Sequence, residues 1–324
     1  MCAVHRIKIL IQYVAPSVMK GGCSAPLAPG VLGAHINAMM AEIDLHPGSA
    51  ASLAGAASRS LAPVQPRTYG GVNWEGLKTL YLKEVRRFWK VGLQTVASPV
   101  VTVLLYMMVF VVATKGARPG AAGVPFAQFV APGLIMMSIL NNAFANSSSS
   151  LIQAKIMGTA PDFLTPPLSA FELCAGFGLG AATRGIVVGL VTAVACWPFS
   201  RFGVYDLGAI LYFGVVASLL MGLVGVLTGL WAEKFDHLAA VTNFVVMPLT
   251  FISGTFYSTA ALPEPFRTIT RFNPMFYLID GFRYGFIGHA DGSLWIGAVY
   301  SAALTLVLAV WCWGIFRTGW RLKT

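Results

Sequence analysis

A basic amphipathic stretch from Trp74 to Lys90 runs directly into an apolar run, Gln94 to Ala113, of the roughly twenty residues a bilayer-spanning helix needs. Trp74, Leu77, Tyr81, Val85 and Phe88 recur at helical spacing, and Glu75, Thr79, Lys83, Arg86 and Lys90 fall on the opposite face. Such a helix is expected to lie flat, with its aromatic face in the lipid boundary and its basic face toward anionic headgroups. The segment therefore predicts a membrane protein and a point of entry into the bilayer. Composition agrees: 56% of the 324 residues are hydrophobic and only 10% charged, against about 25% charged in a soluble domain.

Beyond Gly71 the chain alternates between long apolar runs and short polar breaks. Six spans are predicted: Gln94–Ala113, Gln128–Ser148, Leu173–Ala195, Leu207–Trp231, Leu238–Tyr257 and Leu294–Phe316. The expected architecture is an all-α membrane protein in three segments. Residues 73–93 form the amphipathic helix and 94–321 the transmembrane domain. Residues 1–72, rich in Ala, Ser, Gly and Pro, read either as a disordered extension or as sequence upstream of a true start at Met39 or Met40. The apolar patch Ile9–Val18 is a poor signal peptide, because cleavage after it would leave the basic helix outside.

The net charge of +10 would point to nucleic acid in a soluble protein, but here the apolar spans leave no domain to carry that function. Lys and Arg instead orient the chain. With the amino end inside, one side holds Lys78, Lys83, Arg86, Arg87, Lys90, Lys155, Lys234, Arg317, Arg321 and Lys323. The other side holds Lys115, Arg118, Arg201, Arg267, Arg271 and Arg283. Six spans and two basic ends put both termini in the cytoplasm.

Catalytic signatures are missing: there is no P-loop, no HExxH, no nucleophile elbow and no histidine cluster. The five scattered cysteines have no metal spacing. No enzyme, metal site or cofactor is expected on this chain. An ATP-independent channel or secondary transporter is the alternative function, disfavoured because no acidic residue lies well inside a span and no repeat is evident.

Four features carry candidate function. A polar stripe in the second span places Ser138, Asn142, Asn146 and Ser150 four apart, with Asn141 and Ser147 to Ser149 alongside. It reads as interhelical hydrogen bonding or as the wall of a translocation path. Arg184 sits near the middle of the third span among Gly176, Gly180, Gly185 and Gly189, and is read as an anchor in a tight helix pair ahead of a substrate contact. Gly225 and Gly229 in the fourth span are read as packing residues. The break after the second span holds Lys155, Gly158, Pro161, Asp162, Phe163, Leu164, Pro166 and Pro167, with Ser169 and Glu172 placed to cap the next helix. It is a Pro-rich turn or a docking knob for a soluble partner. The last break, Ser258 to Ser293, is too polar to span and too aromatic to float free. It predicts a pair of half-helices, Phe266–Phe272 and Met275–Phe286, re-entrant or interfacial on the outer side, with Glu264–Arg267 and Asp280–Arg283 at intrahelical pairing distance.

The run LYLKEVRRFWK from Leu80 to Lys90 resembles the amino-terminal helix of ABC-2 type transport permeases. FVAPGLIMM (Phe129–Met137), SGTFY (Ser253–Tyr257) and FNPMFY (Phe272–Tyr277) resemble the same family, in the branch of bacterial export permeases that includes the nodulation-factor and YadH-like proteins. The likeness covers about Asn73 to Arg321. It implies a six-helix half-transporter of the bacterial inner membrane that pairs with a second copy, and two separate ATP-binding subunits carrying the ATP and Mg. It also implies that Lys155–Leu168 is the coupling helix, Trp74–Lys90 with Lys83, Arg86, Arg87 and Lys90 the connecting helix, and Ser258–Gly288 the outer re-entrant pair. The family's cargoes include lipid-linked oligosaccharides, polysaccharides and amphipathic drugs. Under that reading Asn141, Asn142, Asn146 and Arg184 are the candidate path residues.

Overall fold

The computed structural model describes residues 71–113, 123–259 and 262–319. The expectations for residues 1–70 and for Lys115, Arg118, Arg321 and Lys323 lie outside them. The described residues form helices and turns, with no strand among them.

Helix α1 (Trp74–Lys90) starts where the Asn73 side chain accepts from the Gly76 N–H at 2.9 Å, and it ends with Arg87 and Lys90 in its last turn, where cations suit the helix dipole. The sequence placed Trp74, Leu77, Tyr81, Val85 and Phe88 on the face expected to meet lipid. Trp74 is 72% exposed, while the helix packs on the bundle through Leu80, Glu84 and Phe88, the last of these from the aromatic face. The partner helix explains why Leu80 and Glu84 are buried. Gly176 and Gly180 leave room for Leu80 and Glu84, and a Cβ at Gly180 would stand 2.7 Å from that of Glu84.

Among the described residues six helices are long and apolar enough to cross a membrane. The first is α2 (Gly92–Ala113). The second, α3 (Phe126–Ile156), is the centre of the bundle and is buried on all sides along most of its length. A turn and the short α4 (Pro161–Leu164) lead to α5 (Ala170–Ser200), capped as expected by a reciprocal Ser169–Glu172 box. Helix α5 runs through Pro198 to Ser200, past the end expected at Ala195. Next comes α6 (Leu207–Trp231).

The fifth span is not one regular helix. Phe235–Val241 (α7) passes through a π-helical turn, Thr242–Val246, into Met247–Ile252 (α8). Pro248 accounts for this: it has no N–H and its ring crowds the carbonyl four residues back, so the preceding turn widens. The span stops at Ile252 and not at Tyr257, because Gly254 takes φ +77° in the turn that follows. Two half-helices, α9 (Glu264–Phe272) and α10 (Pro274–Ile287), precede the last span, α11 (Leu294–Thr318). Asn273 ends α9 and caps α10, and its side-chain amide donates to the Leu249 carbonyl at 2.7 Å.

Glycines set the close approaches around α3. A Cβ at Gly189 would lie 2.4 Å from Ile139, one at Gly225 2.5 Å from the Phe144 carbonyl oxygen, and one at Gly229 2.9 Å from Leu151. The packing role read for these glycines is what the helices use. Of the two expected pairs on the outer half-helices, Arg267 and Glu264 meet at 3.4 Å. Asp280 and Arg283 do not form an ion pair. Asp280 accepts from the Asp291 and Gly292 N–H groups, while Arg283 donates to the Gly254 carbonyl at 2.6 Å and covers the Phe129 ring at 4.0 Å. Burial pushes the Asp280 carboxyl above its ordinary range, against the pull of those two donors and of Arg283.

Candidate functional site

A groove of 430 Å³ runs between α2, α3 and the π-helical turn. Ser98, Pro99, Thr102 and Tyr106 form one wall, and Leu238, Ala239 and Thr242 another. The third is the polar stripe of α3: Ser138, Asn141, Asn142, Ser148 and Ser149. A mostly apolar trough with a few fixed amides and hydroxyls suits an amphipathic ligand. The amides are held by their own helix, with Asn141 donating to the Met137 carbonyl and Asn142 to the Ser138 carbonyl, each at 3.0 Å.

The stripe divides between the two roles read for it. Ser147 donates across to the Gly222 carbonyl of α6 at 2.6 Å, which is interhelical bonding. Asn146 does not line the groove. It is fully buried and accepts from Arg87 of α1, which reaches its main-chain oxygen at 2.6 Å and its side-chain oxygen at 3.1 Å. Arg87 also binds Ser149 at 3.2 Å and Glu84 at 3.1 Å, and the second oxygen of Glu84 accepts from Ser150 at 2.7 Å. One buried carboxylate and one guanidinium thus fasten α1 to three residues of the stripe. Arg184 is also outside the groove. It reaches Asn142 at 3.2 Å from the far side of α3 and opens onto a second cleft beside α1.

The expected knob has a definite anchor. Phe163 of α4 is buried and meets Phe177 of α5 edge-on at 5.5 Å, and Phe177 stacks on Phe316 of α11 at 6.2 Å. Lys83 of α1 lies over the other side of this contact, 5.4 Å from the Phe163 ring. The start of α1 is fixed to the same loop, with the Asn73 N–H on Glu172 at 2.5 Å and the Asn73 amide on the Pro167 carbonyl at 3.3 Å. Gly158 turns the chain at φ +67°. Asp162 and Leu164 face outward, and Ile156 and Met157 are exposed as well. Lys155 is half-buried, and its ammonium group donates to the Leu230 and Ala232 carbonyls at the end of α6. Arg86 and Lys90 stay on the exposed face of α1.

Sequence reasoning missed Glu84 and the exposed pair Ile156 and Met157. Glu84 had a signal, since it lies four residues from both Leu80 and Phe88 and so shares their face. The surface pair had none.

Among the described residues a central buried helix, a polar groove and an anchored knob define a helical protein with six helices able to cross a membrane. The chain belongs to the ABC-2 type transporter family, whose model matches residues 75–287. It is 36% identical over 255 residues to the inner membrane transport permease YadH of Escherichia coli K12, covering 78% of this chain and 98% of that one. It is 24% identical over 238 residues to nodulation protein J of Rhizobium leguminosarum bv. viciae, covering 71% and 89%. A second nodulation protein J, from Neorhizobium galegae, is 24% identical over 184 residues, covering 55% and 69%. Membership makes this protein a multi-pass membrane permease subunit of an ABC transporter, working with an ATP-binding subunit.

Proposed function

We propose that the protein exports an amphipathic, drug-like or lipid-linked cargo from the cytoplasm, driven by ATP hydrolysed on two separate subunits that also carry the Mg. In this reading it works as a homodimer in the bacterial inner membrane with both termini cytoplasmic. Helix α1 lies along the inner interface as the connecting helix, and α9 and α10 are half-helices entering from the outer side. The groove between α2, α3 and α7–α8 is one half of the path, and a second copy supplies the other wall.

The observation that carries the reading is the double attachment of the knob. Phe163 joins α4 to α5 and α11, and α1 joins the same loop to the stripe that borders the groove. Closure of the ATP-binding subunits on Asp162 and Leu164 would therefore move α1 and α5 together against α3. This is a two-state element biased by nucleotide.

Reconstitution with the ATP-binding subunit in liposomes tests it. Removing Gly158–Pro166 is expected to abolish cargo-stimulated ATP hydrolysis while membrane insertion persists. Stimulation of the same size in the deleted protein overturns the assignment.

A further inference from the structure

The second cleft, of 810 Å³, lies between α1 and the α3–α5 pair, and six of its residues set its chemistry. Lys83, Arg86, Arg87 and Lys90 enter it from α1, Gln153 from α3 and Arg184 from α5. Glu84, the nearby carboxylate, is already held by Arg87 and Ser150. Among the described residues no carboxylate lies within 4.0 Å of Lys83, Arg86, Lys90 or Arg184. The Nε atoms of Arg87 and Arg184 are buried and have no hydrogen-bond partner. A guanidinium offers five donors, so Glu84, Asn142, Asn146 and Ser149 meet only part of this cluster's charge and donor capacity.

Position decides what supplies them. Arg184 lies midway along the apolar Ala170–Ser200 helix, too deep for a side chain of a soluble protein. Trp74 and Trp89, on the helix that bears four of these cations, are 72% and 68% exposed, and tryptophan collects at the headgroup level of a bilayer. The ligand must therefore be an anion carried on an apolar body. Paired guanidinium forks with ammonium groups beside them suit phosphate oxygens.

We propose that this cleft binds the phosphate head of a lipid, a phosphomonoester in preference to a diester, with Arg184 as the deep donor and Arg86 and Lys90 at the rim. The site is separate from the groove, and it holds whether or not the protein exports. The lipid is either a resident of the bilayer or cargo on its way to the groove.

Native mass spectrometry of the purified full chain in detergent, titrated with phosphatidic acid, phosphatidylglycerol or phosphatidylcholine, tests the site. Phosphatidic acid is expected to be retained most strongly and phosphatidylcholine least. Arg86→Gln with Lys90→Gln, on an exposed face where folding is safe, is expected to lower phosphatidic acid retention about fivefold per cation removed. Arg184→Gln is expected to lose retention that Arg184→Lys partly restores. Equal retention of phosphatidylcholine, or retention untouched by the rim pair, overturns the site. So does a rim pair that releases the ATP-binding subunit while lipid retention stays the same, since the patch is then a protein dock. Adding ATP to the liposome complex separates the two sources. Loss of bound phosphatidic acid marks cargo and its persistence marks a resident lipid, and both uphold the phosphate site.

Discussion

Arg87 and Arg184, on different helices, hold the same helix one turn apart: Arg87 takes Asn146 at 2.6 Å and Arg184 takes Asn142 at 3.2 Å. Asn142 borders the groove and Asn146 lies behind it. Any displacement of α1 or α5 is therefore felt directly by the groove wall.

Glu84 is the hinge pin of this arrangement, fully buried and bonded to both Arg87 and Ser150. Removing one partner of a buried ion pair costs about 3–5 kcal/mol, and the partial exposure of Arg87 reduces that to about 1–3 kcal/mol here. Glu84→Ala should lower the unfolding midpoint measured by differential scanning fluorimetry in detergent. Glu84→Gln, which keeps an acceptor for Ser150, should lower it less. Equal midpoints for wild type and Glu84→Ala would remove Glu84 from this role.

The α1–α5 contact makes a prediction against helix propensity. Alanine in place of glycine in a helix favours the helix by about 1 kcal/mol. At Gly180 the added Cβ would stand 2.7 Å from that of Glu84, and overpacking typically costs about 1–3 kcal/mol. At Gly178, on the same helix, the nearest atom is Leu223 Cδ2 at 3.9 Å. Gly180→Ala should therefore destabilise and Gly178→Ala should not, read by thermal unfolding of the two purified variants side by side.

Phe163 is the only buried residue of α4. Truncating it removes the Phe177 contact and leaves the exposed face of the knob in place. In the reconstituted complex Phe163→Ala should keep the ATP-binding subunit bound but cut cargo-stimulated hydrolysis about tenfold. Leu164→Ala, on the outer face, should weaken subunit binding itself. Pull-down and ATP hydrolysis on the same samples distinguish the two effects.

Local physics was legible in the sequence where a feature depends on near neighbours. The six apolar runs, the Ser169–Glu172 cap and the glycine rows are all of this kind, and each reappears in the helices, with shifted ends and a π-helical turn in the fifth span. What escaped depends on partners far along the chain. Asn146 looked like its neighbours in the stripe until Arg87, 59 residues away, claimed it. Asp280 and Arg283 have pairing distance on their helix, yet each is taken by the backbone of another segment. A carboxylate on the packing face of α1 contradicts a simple amphipathic reading, and it is stable only because glycines of α5 and the guanidinium of Arg87 receive it. The π-helical turn was prefigured by Pro248, whose effect falls on the turn before it.

Blocking the groove tests the central claim most directly. Ala145 lies half-buried in it, and Val194 is 74% exposed on the outer face of α5. In a cysteine-free background, Ala145→Cys and Val194→Cys can each be modified with a bulky thiol reagent, and ATP-driven movement of a fluorescent amphiphile across liposomes can be measured. Modification at residue 145 should abolish transport and modification at residue 194 should leave it intact. Undiminished transport with residue 145 fully modified would contradict a path through this groove.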